Sequence, residues 1–155
     1  MDAEMIRAML RKGQRINGRR ADGSKVDIPA EELTLLADPI DRRVRVAIDI
    51  ENARICGPVC FQNARLCRFV FRNCEFTDVV ELSGSTLNGD VQFSGCTLPR
   101  GLYLPSSRVV YDFNISDAKL TDPDFTALRV GGFVRAERAT FRTSVADALC
   151  FDSLH

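Results

Sequence analysis

Residues 64–98 read ARLCRFVFRNCEFTDVVELSGSTLNGDVQFSGCTL, and the spacing of their apolar positions decides the fold. Leu66, Phe71, Phe76, Leu82, Leu87, Phe93 and Leu98 recur at steps of five or six. A helix repeats near 3.6 residues and a simple strand at 2, so neither produces this series; a chain that coils back over itself does. Outward from this stretch the series begins at Ile50, passes Ile55 and Phe61, and continues through Leu104, Val109, Ile115, Leu120, Phe125, Val130, Ala136, Phe141 and Ala146 to Phe151. Extra residues can be placed freely in such a match, so two further features are needed to fix the register.

The first is the residue two places before each centre, which alternates between bulky and small: Ile48, Ala53, Val59, Ala64, Phe69, Cys74, Val80, Ser85, Val91, Cys96, Leu102, Ser107, Phe113 and Ala118, weakening at Leu128, Ser144 and Leu149. The second is that insertions fall on turn chemistry, at Gly57-Pro58, Asn88-Gly89, Pro99-Arg100-Gly101 and Gly131-Gly132. Four units make a circuit of about 21 or 22 residues, so coils begin at Ile50, Phe71, Phe93, Ile115 and Ala136. The expected fold is an all-β solenoid, a four-sided parallel β-helix of about five coils. Two opposite sides hold bulky residues at both inward positions, and the other two pair a small residue with a large one. Successive coils stack about 4.8 Å apart. One inward ladder then runs Ile50, Phe71, Phe93, Ile115, and another Ala53, Cys74, Cys96, Ala118, Ala139.

With Ala64-Arg65-Leu66, Cys74-Glu75-Phe76, Ser85-Thr86-Leu87, Cys96-Thr97-Leu98 and Ala118-Lys119-Leu120, the chain resembles the pentapeptide-repeat family over about residues 48–151. Its extra residues and bulky alternate positions mark a divergent member. The resemblance implies a right-handed quadrilateral β-helix and no shared catalytic activity. Some bacterial relatives carry an oxidoreductase label, and this chain has no dinucleotide fingerprint.

The flanks read differently. Met1–Leu10 places Ile6, Met9 and Leu10 on one face behind Asp2 as N-cap, and Pro29–Leu36 reads as a second short helix with Glu31 and Glu32 at its start. Gly13–Lys25, basic and poor in large apolar residues, reads as a loop. The expected organisation is a helical N-terminal cap and basic loop over 1–43 and the β-helix over 44–155. A solenoid needs caps at both ends. Ser144-Val145-Ala146-Asp147 resembles a helix start, but Leu149-Cys150-Phe151 and Leu154 fit further coil, which leaves that end uncapped. Homodimerisation through the C-terminal coil is the expectation that follows, with continuation into a longer protein as the alternative.

Composition narrows function. Lys plus Arg equals Asp plus Glu at 21 each, so no global field recruits nucleic acid or anionic membrane. The N-terminus lacks a signal-peptide core and no run has membrane-spanning length, so a cytoplasmic location without membrane association is expected. Cys56, Cys60 and Cys67 lack a fourth ligand at a recognised spacing, the single histidine being His155, and no metal or cofactor is expected. Arg65, Arg68, Arg108 and Arg129 fall on outward positions of one side and form a candidate basic strip for a partner, unaccompanied by an aromatic stacking platform. Arg7, Arg11, Lys12, Arg15, Arg19, Arg20 and Lys25 form a second basic cluster, read as a solvated loop. Asp112, Asp117, Asp122 and Asp124 lie near corners, where Asp favours turns. The expected function is a noncatalytic interaction or scaffold module for a protein partner. The alternatives are a topoisomerase-binding DNA mimic, which the neutral charge disfavours, and a carbohydrate-acting β-helix enzyme, which needs a groove with paired carboxylates.

Overall fold

A computed structural model describes residues 1–143 as a parallel β-solenoid of about four turns. Each turn crosses four sides, and on each side a short strand points two residues inward around one outward residue. The first side is a six-stranded sheet of Ile16–Asn17, Ile48–Glu51, Phe69–Arg72, Val91–Ser94, Phe113–Asn114 and Val134–Arg135. The second, also six-stranded, stacks Val26–Pro29, Ala53–Cys56, Glu75–Phe76, Thr97–Leu98, Lys119–Thr121 and Thr140–Arg142. The third stacks Val59–Cys60, Val80–Glu81 and Leu102–Tyr103, and the fourth Arg65–Leu66, Thr86–Leu87, Arg108–Val109 and Arg129–Val130. The register pairs Ile50 with Phe71 and Phe71 with Phe93, as the apolar series requires.

Packing follows from residue size. The sides with two bulky inward residues bring aromatic rings together in mid-solenoid: Phe71 stacks on Phe93 at 5.7 Å and Phe69 meets Phe71 edge-on at 5.0 Å. On the second side Ala53, Cys74, Cys96 and Ala118 are fully buried in the small column. Serines occupy the equivalent column on the fourth side. Ser107 Oγ donates to the Leu82 carbonyl at 2.8 Å, and Ser85 donates to that of Phe61, so their buried hydroxyls are satisfied.

Two of the corners turn through left-handed residues stacked one turn apart. One carries Asn52, Asn73, Gly95, Asp117 and Arg138, and the other Asn63, Gly84, Ser106 and Ala127. Both follow a side with two bulky inward residues. Asn, Asp and Gly tolerate positive φ best, which accounts for the Asn/Gly run at the start of each series.

The N-terminal flank follows expectation in its first helix and departs from it thereafter. A helix, α1 (Ala3–Arg11), forms behind Asp2, whose side chain accepts the Met5 amide at 2.8 Å. The second helix, α2 (Ala30–Thr34), is shorter than Pro29–Leu36, because Pro29 is extended at ψ 129° and ends a strand. Gly13–Lys25 is not merely a loop. Ile16–Asn17 pairs with Ile50–Glu51, and Val26–Pro29 pairs with Ala53–Cys56. Ile16 and Ile28 are fully buried. These strands make a partial extra coil that covers the exposed edge of the first turn. One buried cluster runs from Ile6 to Leu128, so the 43/44 boundary falls inside a single core.

At the far end the core closes earlier than the apolar series suggests. Ala136 is exposed and Val134 is 46% exposed, and the fully buried ladder stops at Leu128. The Ser144 box, Leu149–Phe151, Leu154 and pairing through a C-terminal coil lie outside the described residues.

Candidate interaction face

Parallel stacking turns residues one circuit apart into neighbours, so any outward position becomes a column. On the fourth side Arg65 lies beside Thr86, Thr86 beside Arg108, and Arg108 beside Arg129. A parallel bridge sets Arg43 beside Arg65 at the N-terminal end, held by the Arg65 amide donating to the Arg42 carbonyl at 3.0 Å and the Val44 amide to the Arg65 carbonyl at 2.8 Å. The column therefore reads Arg43, Arg65, Thr86, Arg108, Arg129, with all four arginines exposed. Four coil spacings make it about 19 Å long.

Charge pairing sets this column apart. Elsewhere on the solenoid several arginines meet carboxylates: Arg54 with Asp27 at 2.9 Å, Arg72 with Asp49 at 2.8 Å, and, at a corner, Arg138 with Asp117 at 2.6 Å. Among the described residues Arg43, Arg65, Arg108 and Arg129 enter no ion pair and no side-chain hydrogen bond. Like charges directly opposite one another on neighbouring strands destabilise a sheet. Arg43 against Arg65 and Arg108 against Arg129 are two such contacts. Among the described residues no strand-borne column carries acidic residues on successive coils: the first side runs Asp49, Val70, Gln92, Asn114, Arg135, the second Asp27, Arg54, Glu75, Thr97, Lys119, Thr140, and the third Cys60, Glu81, Tyr103, Asp124.

The predicted strip is thus revised at two positions. Arg68 leaves it, because it lies past the end of the fourth-side strand and reaches Asp49 at 3.5 Å. Arg43 joins it. Aromatic side chains also accompany the column: Tyr111 and Phe133, 56% and 71% exposed, lie at the corner that follows Arg108–Val109 and Arg129–Val130.

The other sequence candidates are dispersed. Asp112 accepts the Phe133 amide at 2.9 Å. Asp117 sits at the next corner, where hydrogen bonds from Arg138 hold its carboxyl below the usual range. Asp122 sits at the corner after that, and Asp124, on the third side, accepts the Thr126 amide at 2.9 Å. Spread around the coil, the four do not form a paired-carboxylate groove. Cys56, Cys60 and Cys67 occupy three different sides, and Cys67 Sγ donates to the Val44 carbonyl at 3.3 Å. Burial holds the Cys96 thiol well above the usual thiol range. Among the described residues no three metal-ligating side chains come together.

Three of the seven residues of the N-terminal basic cluster form ion pairs that tie the N-terminal segment together or to the solenoid. Arg7 pairs with Glu32 at 2.6 Å, Lys25 with Glu75 at 2.7 Å, and Arg15 with Glu51. Arg11 lines a cavity of about 390 Å³ between the helices and the segment leading to Arg43. Among the described residues no helix is long and apolar enough to cross a membrane. No family model, curated protein or solved structure matches the chain.

Proposed function

We propose that this chain is a noncatalytic interaction module of the pentapeptide-repeat type whose fourth side binds an acidic segment of a protein partner. One observation carries the reading: among the described residues four exposed arginines stand in one column without a carboxylate, while Arg54, Arg72 and Arg138 elsewhere on the solenoid are each paired with one. A folded chain that holds like charges opposite each other gives up stability, and an anion laid along them returns it. The backbone beneath is a rigid ladder, so the charges are presented in a fixed order without ordering a loop on binding. The family likeness rests on the register that the small and bulky columns share with the repeat.

The test is fluorescence anisotropy of a labelled glutamate-rich octapeptide at low and moderate salt. Arg65→Ala/Arg108→Ala/Arg129→Ala should weaken binding at least tenfold, and raising salt should weaken binding to the unaltered chain. Arg54→Ala/Arg138→Ala, which removes paired arginines, should leave affinity unchanged. Equal losses in the two variants would sink the proposal.

A further inference from the structure

The cavity of about 390 Å³ adjoins the upper end of the column, since Arg43 and Arg45 line both it and the groove over Arg65 and Leu66. Its apolar lining comes from Leu10, Leu36, Ala37 and Val46, of which Leu10 is buried and the others half-buried, with the exposed Leu35 and Pro39 at its rim. Its two nearer carboxylates are engaged. Glu32 accepts Arg7 Nε at 2.6 Å, while Asp38 accepts the amides of Ile40 at 2.8 Å and Asp41 at 3.1 Å. Arg11 and Arg43 on its rim have no ion-pair partner among the described residues. The volume lies at the lower end of the range for ligand sites, which suits one large side chain better than a whole cofactor.

We infer that the face takes an extended acidic peptide with one apolar anchor residue, the anchor seated in this cavity and the carboxylates following along Arg43, Arg65, Arg108 and Arg129. The inference rests on the interaction reading above and gives it a polarity and a length. A column of about 19 Å spans about six residues of extended chain. Thr86 leaves about 10 Å between Arg65 and Arg108, two coil spacings, so the acidic residues fall into two groups with a neutral residue between. The cavity lining has no aromatic ring on which a base would stack, and phosphate alone gives the apolar floor nothing to do. Charge complementarity and an aliphatic pocket together favour a peptide.

The experiment compares three labelled probes by anisotropy. They are a peptide of leucine followed by six residues with glutamates in two pairs, the same peptide with serine for leucine, and an eight-nucleotide oligo-dT. Burying one leucine side chain is enough for a tenfold change in affinity, so the leucine peptide should bind at least tenfold tighter than the serine peptide. Ala37→Trp, which fills the cavity, should remove that advantage and leave the serine peptide unaffected. Leu36→Gln, which removes an apolar wall without adding charge, should do the same should Ala37→Trp lose its far-UV circular dichroism. Arg65→Ala/Arg108→Ala/Arg129→Ala should weaken both peptides at least tenfold. A leucine advantage that is absent, or that survives the cavity variants, overturns the anchor while the interaction reading stands. Peptide binding indifferent to the arginine variant overturns both. Oligo-dT binding tighter than the leucine peptide overturns the peptide assignment.

Discussion

Phe93→Ala tests the stacked core at its centre. Phe93 is fully buried, lies 5.7 Å from Phe71 with an interplanar angle of 9°, and meets Phe69 and Phe76 at 6.0 Å. The hole left by the ring cannot close by bringing coils together, because the turns on either side are tied by backbone bonds such as Phe69 N to Asp90 O and Val91 N to Asp112 O, both 3.0 Å. Buried Phe→Ala substitutions cost about 3–5 kcal/mol, more where the site cannot collapse. Three ring contacts, each worth about 0.5–1.5 kcal/mol beyond area burial, are lost as well, which places Phe93→Ala near the upper end of that range, about 4–5 kcal/mol. Phe141, half-buried on the last described strand of its sheet, should cost about 1–2 kcal/mol in the same substitution, within the ordinary span for single changes. Urea unfolding followed by far-UV circular dichroism, with linear extrapolation, reads both. A cost below about 2 kcal/mol for Phe93→Ala, or one no larger than that of Phe141→Ala, would refute the ladder.

Gly95→Ala should destabilise by about 1–2 kcal/mol, because Gly95 has φ 64° and an added Cβ would lie 2.3 Å from Asn73 Oδ1; adding Asn73→Gly should recover the steric part but not the left-handed penalty, a partition that a double-mutant cycle measures. Arg129→Gln should raise the unfolding free energy slightly, by up to about 1 kcal/mol, while weakening acidic-peptide binding, since it relieves the like-charge pairing with Arg108; a loss of stability would speak against unrelieved repulsion. Asp27 and Asp117 are held below the usual carboxylate range by hydrogen bonds from Arg54 and Arg138, so their stabilisation is present above the unfolded carboxylate values near pH 4 and is lost as pH falls through the lower folded ones. Melting curves from pH 5 to 2 should therefore flatten in Asp27→Asn/Asp117→Asn, and an unchanged slope would contradict that assignment. The Cys60 thiol is pushed up by burial and then by Glu81 and Asp78, so its alkylation at pH 8 should accelerate in Glu81→Gln, which peptide-level mass spectrometry after iodoacetamide treatment would show.

The solenoid was legible because its signal is an inward period. Ile50, Phe71 and Phe93 had to stack once every circuit held the same number of units, and Cys74 and Cys96 fell into the alanine column for the same reason. The N-terminal strands escaped because a hairpin closed by the bridge from Arg19 to Lys25 separates Ile16 from Val26 and Ile28, which breaks the five-residue step. Arg43 was missed with them, since it precedes the first full coil and its place beside Arg65 is a backbone bridge that no local pattern announces. Arg68 was misplaced because outwardness fixes a side only within a strand. Two residues past its end, an available carboxylate decides where a long side chain goes, and for Arg68 that is Asp49. The left-handed corners did leave a readable mark, Asn52, Asn63 and Asn73 followed one turn later by Gly84 and Gly95. The cavity left none, because it exists only once both helices pack on the first turn.

Every functional statement depends on Arg43 and Arg129, far apart in sequence, standing in one column. Spin labels at Arg43→Cys and Arg129→Cys, in a background where Cys56, Cys60, Cys67 and Cys150 are serine, read that separation by double electron–electron resonance. Four coil spacings predict a single narrow distribution centred at about 19 Å, broadened only by the labels. A distribution centred beyond about 30 Å, too long for four such spacings, would contradict the column.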